Sequence, residues 1–240
     1  EVRMQAVKSF FRSFSKGELL LWGASVLLIV LSFCVFDREN WLTLLASLVG
    51  ATSLIFCAKG NPAGQALMLL FSALYGVISW TFSYYGEMIT YLGMTAPMAL
   101  AALISWLRHP FKGNRAEVRV NRLRAGEAAF ALLLTAAVTA AFYFILKALD
   151  TANLIPSTVS VATSFLAVYL TFRRSPYYAL AYAANDVVLV VLWTLAAIED
   201  ITYLSVIICF VMFFANDLYG FINWRRMEKR QKESDAEPAA

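Results

Sequence analysis

The chain has 240 residues, with 20 Lys and Arg against 16 Asp and Glu, a formal net charge of +4, 60% apolar residues and a mean hydropathy of +0.66. So large an apolar share with so few charges excludes an ordinary soluble domain. One histidine, His109, and three unclustered cysteines, Cys34, Cys57 and Cys209, argue against an imidazole-based catalytic or metal centre and call for no cofactor.

Residues 1–17 are basic and studded with phenylalanine (Lys8, Phe10, Phe11, Arg12, Phe14, Lys16), a composition suited to a membrane interface. No small-residue cleavage site follows the first apolar run, so this run is expected to be a retained helix. Eight apolar runs then succeed one another, at 18–36, 41–58, 63–83, 88–107, 127–149, 153–172, 177–197 and 201–224. Each has about the ~17 to 25 residues that cross a hydrocarbon core as a helix. Pro97 falls centrally in the fourth run and predicts a kink or flexing point there.

The connections are short apart from 108–126, which carries Arg108, Lys112, Arg115, Arg119, Arg122 and Arg124. Placing that loop in the cytoplasm sends 18 of the 20 Lys and Arg to one side of the membrane, leaving only Arg38 and Lys147 elsewhere. This is the bias that orients polytopic proteins, and it predicts cytoplasmic termini. The positive charge is thus loop charge, not a nucleic-acid patch. The charged tail after Trp224 ends in Pro and Ala and is expected to be disordered.

Shifting the chain against itself by 111 to 114 positions reveals a repeat. Ala51-Thr52-Ser53 meets Ala162-Thr163-Ser164, Asn61-Pro62 meets Ser175-Pro176, Ala66-Leu67 meets Ala179-Leu180 and Trp80 meets Trp193. Glu87-Met88-Ile89-Thr90-Tyr91 meets Glu199-Asp200-Ile201-Thr202-Tyr203. Each copy holds three helices, and the single span between them returns the chain to its starting side, so the copies are expected to be parallel. The expected architecture is all-α: an interfacial segment and extra helix (1–40), a three-helix repeat (41–107), a basic loop and linker helix (108–152), a second repeat (153–224) and a tail (225–240). Parallel repeats related by an axis along the membrane normal are a transporter architecture, with the substrate near the midplane between them.

Polar groups in hydrocarbon are costly, so each one inside a span is a candidate site residue. The third run carries Gln65 and Tyr75 on a stripe with Ser72, Gly76 and Ser79, flanked by Trp80 and Tyr84. The seventh carries Asn185, Asp186 and Trp193; the eighth carries Asn216, Asp217 and Tyr219. Helix packing through small residues, structural hydrogen bonds and an interfacial aromatic belt are the competing explanations. No Lys or Arg lies at mid-membrane depth, which disfavours a phosphorylated or strongly anionic cargo. Aromatic faces favour a planar cation, and amide, carboxyl and phenol groups hydrogen-bond sugar hydroxyls.

From 41 to 224 the chain resembles the PnuC family of nicotinamide riboside transporters, related in fold to the SWEET sugar transporters. The resemblance rests on the 3+1+3 helix plan, on Asn216-Asp217-Leu218-Tyr219-Gly220 with Asn223-Trp224, and on Asn185 with Trp193. It implies a multi-pass transporter of a bacterial inner membrane that takes up the small molecule nicotinamide riboside as an oligomer such as a homotrimer, embedded in the lipid bilayer. Two departures stand out: Met98-Ala99-Leu100-Ala101-Ala102 precedes Trp106 where relatives carry polar residues, and the helix at 18–36 is additional. Facilitated diffusion by alternating access is expected, with proton coupling through Asp186 or Asp217 left open. The rivals are a thiamine or riboflavin carrier and a membrane scaffold that transports nothing.

Overall fold

A computed structural model of the chain describes residues 14–81, 85–151 and 153–236. Most of these residues are helical, in eight helices long and apolar enough to cross a membrane. The interfacial stretch expected before Phe14 lies outside the described residues. Helix α1 (Lys16–Phe36) starts at a capping box: the Ser15 hydroxyl accepts from Glu18 N at 3.2 Å and the Glu18 carboxylate accepts from Ser15 N at 2.7 Å. Helix α2 (Trp41–Ala58) is followed by Gly60 at φ 66° and α3 (Ala63–Thr81). A Cβ on Gly64 would lie 2.6 Å from Cys57 N, so α2 and α3 meet backbone to backbone through a small residue.

The fourth span is interrupted. Helix α4 (Tyr85–Ile89) runs into a π-helical segment, Thr90–Thr95, before α5 (Ala96–Arg108). Pro97 stands at the first turn of α5 and has no N–H for the carbonyl four residues back, and the ladder widens just ahead of it. Then follow α6 (Ala125–Ala148), α7 (Leu154–Phe172), α8 (Tyr178–Ala197), a 3₁₀ turn (Ile201–Tyr203) and α9 (Leu204–Ala236).

Six of the spans close into a ring: α2 packs on α3, α3 on α5, α5 on α7, α7 on α8, α8 on α9 and α9 on α2. Helix α6 flanks the ring on α7, while α1 lies against both α2 and α9. At one end of the ring the indole of Trp106 on α5 donates to Thr171 O on α7, and that of Trp224 on α9 donates to Cys57 O on α2.

One local expectation fails at that end, and the basic connection carries structure of its own. The chain after Trp224 continues as helix to Ala236, and the long connection folds into a hairpin of β1 (Pro110–Phe111) and β2 (Asn114–Val118). Lys112 and Gly113 take the positive φ values that a tight hairpin turn requires. At 33 residues α9 is roughly 50 Å long and overruns a ~30 Å hydrocarbon core. Its overhang is held by the hairpin: Gln231 donates to Val118 O at 3.0 Å and accepts from Val120 N at 2.9 Å, and Arg122 pairs with Glu228. These docked pairs give the tail partners that its composition alone did not reveal.

Candidate functional site

The ring encloses a cavity of about 80 Å³ lined from α2, α3, α7, α8 and α9 and, in the fourth span, from α4 and the π segment. Its aromatic members come from α3, the π segment and α9, with Tyr182 from α8. Tyr75 and Tyr91 have ring centroids 4.5 Å apart, with Phe71 5.5 Å from Tyr75 and 6.1 Å from Phe213. Opening the ladder at Thr90–Thr95 is what supplies Thr90, Tyr91 and Thr95 together to the cavity lining.

Its polar members come chiefly from α7 and α8. Asn185 Oδ1 accepts from three hydroxyls of α7: Thr163 at 2.9 Å, and Ser160 and Ser164 at 3.0 Å each. Spacings of three and four residues put Ser160, Thr163 and Ser164 on one face of α7, so they converge on a single carbonyl. With the oxygen taken, what the amide still offers is its two N–H donors. Asp186 on α8 and Asp217 on α9 bring their carboxyls into contact, and one Asp186 oxygen has no hydrogen-bond donor among the described residues. Glu87 adds a third carboxyl, and no Lys or Arg is among the described residues lining the cavity.

A second cavity, about 90 Å³, lies toward the connections α1–α2 and α8–α9 and shares Tyr75 and Glu87 with the first. Trp193 lines it, packed 5.2 Å from Tyr203. Among the described residues no group of His, Cys, Asp and Glu has the geometry of a metal site.

The chain matches the nicotinamide mononucleotide transporter family model over residues 40–226. It belongs to that family. The eight spans are therefore those of a multi-pass membrane transporter, not of an enzyme. Among its relatives, the nicotinamide riboside transporter PnuC of Neisseria mucosa is 29% identical over 201 residues, 82% of this chain and 76% of that protein. The nicotinamide riboside transporter PnuC of Haemophilus influenzae is 20% identical over 229 residues, 93% of this chain and 96% of that one. In fold the chain is similar to the crystal structure of the vitamin B3 transporter PnuC, with a TM-score of 0.79 at 25% identity, covering 91% of this chain and 94% of that one.

Within this family member, the residues singled out from sequence divide into three groups. Tyr75, Asn185 and Asp186 line the central cavity, and Trp193 lines its neighbour. Gln65, Asn216 and Tyr219 point elsewhere. Gln65 donates to Cys57 Sγ at 3.1 Å, Asn216 to Ser25 Oγ at 2.9 Å, and Tyr219 to the Glu18 carboxylate at 3.1 Å, so the last two hold α1. Trp80 is 67% exposed on the outside of the bundle, and Tyr84 lies outside the described residues. The residues passed over, Ser160, Thr163, Ser164, Glu87 and Tyr91, carry one available signal. Three of them, Thr163, Ser164 and Tyr91, sit with Glu87 inside the segments that repeat along the chain.

Proposed function

We propose that this chain carries nicotinamide riboside, not its 5′-phosphate, across a bacterial inner membrane through the central cavity. The observation that carries this reading is the cavity's charge: carboxyls at Asp186, Asp217 and Glu87, and no Lys or Arg among the described lining residues. Riboside bears one positive charge on its pyridinium ring. A phosphate adds two negative charges and needs Arg or Lys donors to replace its lost hydration. Tyr75 and Tyr91 offer ring faces to the pyridinium, and the Asn185 amide with the Asp186 carboxyl suits ribose hydroxyls.

Purified protein titrated with the riboside and with its 5′-phosphate tests this. The riboside is expected to bind at least about a hundredfold more tightly, the size of one unpaired buried charge. Equal or tighter binding of the phosphate overturns the reading. Titration with thiamine and riboflavin in the same assay separates the vitamin rivals, of which uncharged riboflavin is the poorer fit to three carboxyls.

The transport cycle we favour is alternating access between two parallel units, α2 to α5 and α7 to α9, with the basic end of the bundle in the cytoplasm. The reciprocal indole bonds of Trp106 and Trp224 support that pairing of units. Facilitated diffusion, with net uptake drawn by phosphorylation inside the cell, needs no further group. The contact between Asp186 and Asp217 favours a second reading, coupling to protons. Liposomes with equal riboside on both sides and an imposed pH gradient decide: net riboside movement establishes coupling, and none establishes diffusion.

A further inference from the structure

The second cavity has features that packing does not account for. Trp193 is 7% exposed and Ser79 1% exposed, both line this cavity, and neither Trp193 Nε1 nor Ser79 Oγ has a hydrogen-bond partner among the described residues. A buried N–H or O–H left unpaired costs about 1–3 kcal/mol, so native structures leave few of them. Here two, contributed by different spans, border one space.

The rest of the lining is consistent in its chemistry. Trp193 and Tyr203 present adjoining aromatic rings. Asp37, Glu87 and Asp200 contribute carboxyls, and no Lys or Arg is among the described lining residues. Asp37 is oriented by Asn40 Nδ2 at 2.6 Å, and Asp200 by Thr202 N at 2.9 Å. Ring faces with carboxylates select a planar cation. An indole N–H can only donate, so that cation must also carry an acceptor.

We propose that this second cavity is a separate binding site for a planar aromatic cation bearing a carbonyl or amide acceptor, holding the ring of the substrate before it reaches Asn185. Trp193 Nε1 and Ser79 Oγ bind the acceptor group, Trp193 and Tyr203 pack on the ring, and the carboxyls match its charge. Tyr75 and Glu87 stand in the walls of both cavities, which makes them the passage from one to the other. The proposal rests on the transport reading for the identity of the ligand, but not for its test.

The probe is 1-methylnicotinamide, which has the cationic ring and carboxamide without the ribose, with uncharged nicotinamide as control. Equilibrium dialysis against the purified full chain is expected to show binding of the cation in preference to nicotinamide. Trp193→Phe, which keeps the ring and removes the donor, should weaken it about tenfold, and Ser79→Ala several-fold. Tyr91→Leu, which removes a ring that lines the central cavity and not the second one, should change it less than about twofold. Where Trp193→Phe fails to fold, judged by its melting curve, Ser79→Ala and Asp200→Asn carry the test. No binding of the cation, or binding lost in Tyr91→Leu and indifferent to Ser79→Ala and Asp200→Asn, overturns the second site. Riboside uptake by wild-type proteoliposomes is a separate measurement, and its failure would sink the transport reading while leaving the dialysis result to stand on its own.

Discussion

Trp106 and Trp224 make the same bond in opposite directions round the ring. The indole of Trp106 donates to Thr171 O at 2.9 Å and that of Trp224 to Cys57 O at 2.8 Å, with the two rings 5.3 Å apart. Their chain neighbours repeat the exchange, Ser105 donating to Phe172 O at 2.9 Å and Asn223 to Ala58 O at 2.8 Å. Cys57 and Thr171 stand 114 residues apart, the offset at which Asn61-Pro62 meets Ser175-Pro176. Helices α5 and α9 thus close the final turns of α7 and α2: Phe172 O and Ala58 O gain the partner that a helix end lacks, and Thr171 O and Cys57 O gain a second donor beside the N–H of Arg174 and Gly60.

Trp224→Phe and Trp106→Phe each remove one indole bond and part of a fully buried ring, while Cys57 O and Thr171 O keep the backbone N–H of Gly60 and Arg174, so each should cost about 1–2 kcal/mol and lower the melting temperature by several degrees. The two losses should be similar in size. Because the rings touch, the double variant should depart from the sum of the singles. Trp80→Phe, on the lipid-facing surface, is expected to melt with the wild type. A Trp80 variant that lost as much stability as the other two would contradict the outward placement.

Asn185 lines the cavity with its carbonyl oxygen pinned by three hydroxyls, so the groups it still offers are its N–H donors. Asn185→Leu removes those donors while keeping the branched outline of the side chain, and riboside affinity should fall about tenfold to a hundredfold. Ser164→Ala should cost less than about threefold, since Ser160 and Thr163 still hold the amide. Isothermal titration of the two variants measures the contrast. A Ser164 effect as large as that of Asn185 would mean that the serine touches ligand itself.

Asn185 was legible in the sequence because an amide inside an apolar run has few reasons to be there. Asn216 had the same credentials, yet it holds Ser25 of α1, while Asp217 one position on lines the cavity. One residue is a 100° turn of the helix. Which face of α9 looks inward depends on where the extra helix packs, and nothing in the sequence of α9 records that. Trp80 and Trp193 show the same limit: they match in the repeat, but one faces outward and the other a cavity. Pro97 signalled an irregular fourth span, whereas the π segment ahead of it is a tertiary solution to that irregularity. The eight spans themselves were plain, because length and hydropathy alone decide them.

Charge recognition can be separated from shape. The reduced, dihydropyridine form of the riboside has nearly the same outline without the positive charge, and wild-type protein should prefer the oxidised form. Two carboxyls in contact share one proton and carry one negative charge between them, so Asp186→Asn with Asp217→Asn removes that charge without changing size, and this preference should shrink about tenfold while affinity for the reduced form changes less. Competition binding with both forms gives the ratio directly. An unchanged ratio would move charge recognition away from the Asp186–Asp217 contact.

Glu228 anchors the hairpin to the overhang of α9. Its side chain is 6% exposed and is shared by Arg122, Arg225 and Lys232, all of which keep much of their surface in water. Isolated exposed pairs contribute little, but this carboxylate is the common partner of three cations, so removing it leaves them repelling one another. Glu228→Ala should therefore release the segment at 110–124, which contains Lys112, Arg115, Arg119, Arg122 and Arg124 as trypsin sites. Limited trypsinolysis should cut there several-fold faster than in the wild type, because cleavage follows the population of the locally opened form. Riboside affinity should not change, since no residue of the hairpin or the overhang lines either cavity. A Glu228→Ala protein with wild-type cleavage rates would show that Gln231, Arg230 and the backbone of Val118 hold the hairpin without it, and Gln231→Ala would then be the variant that frees it.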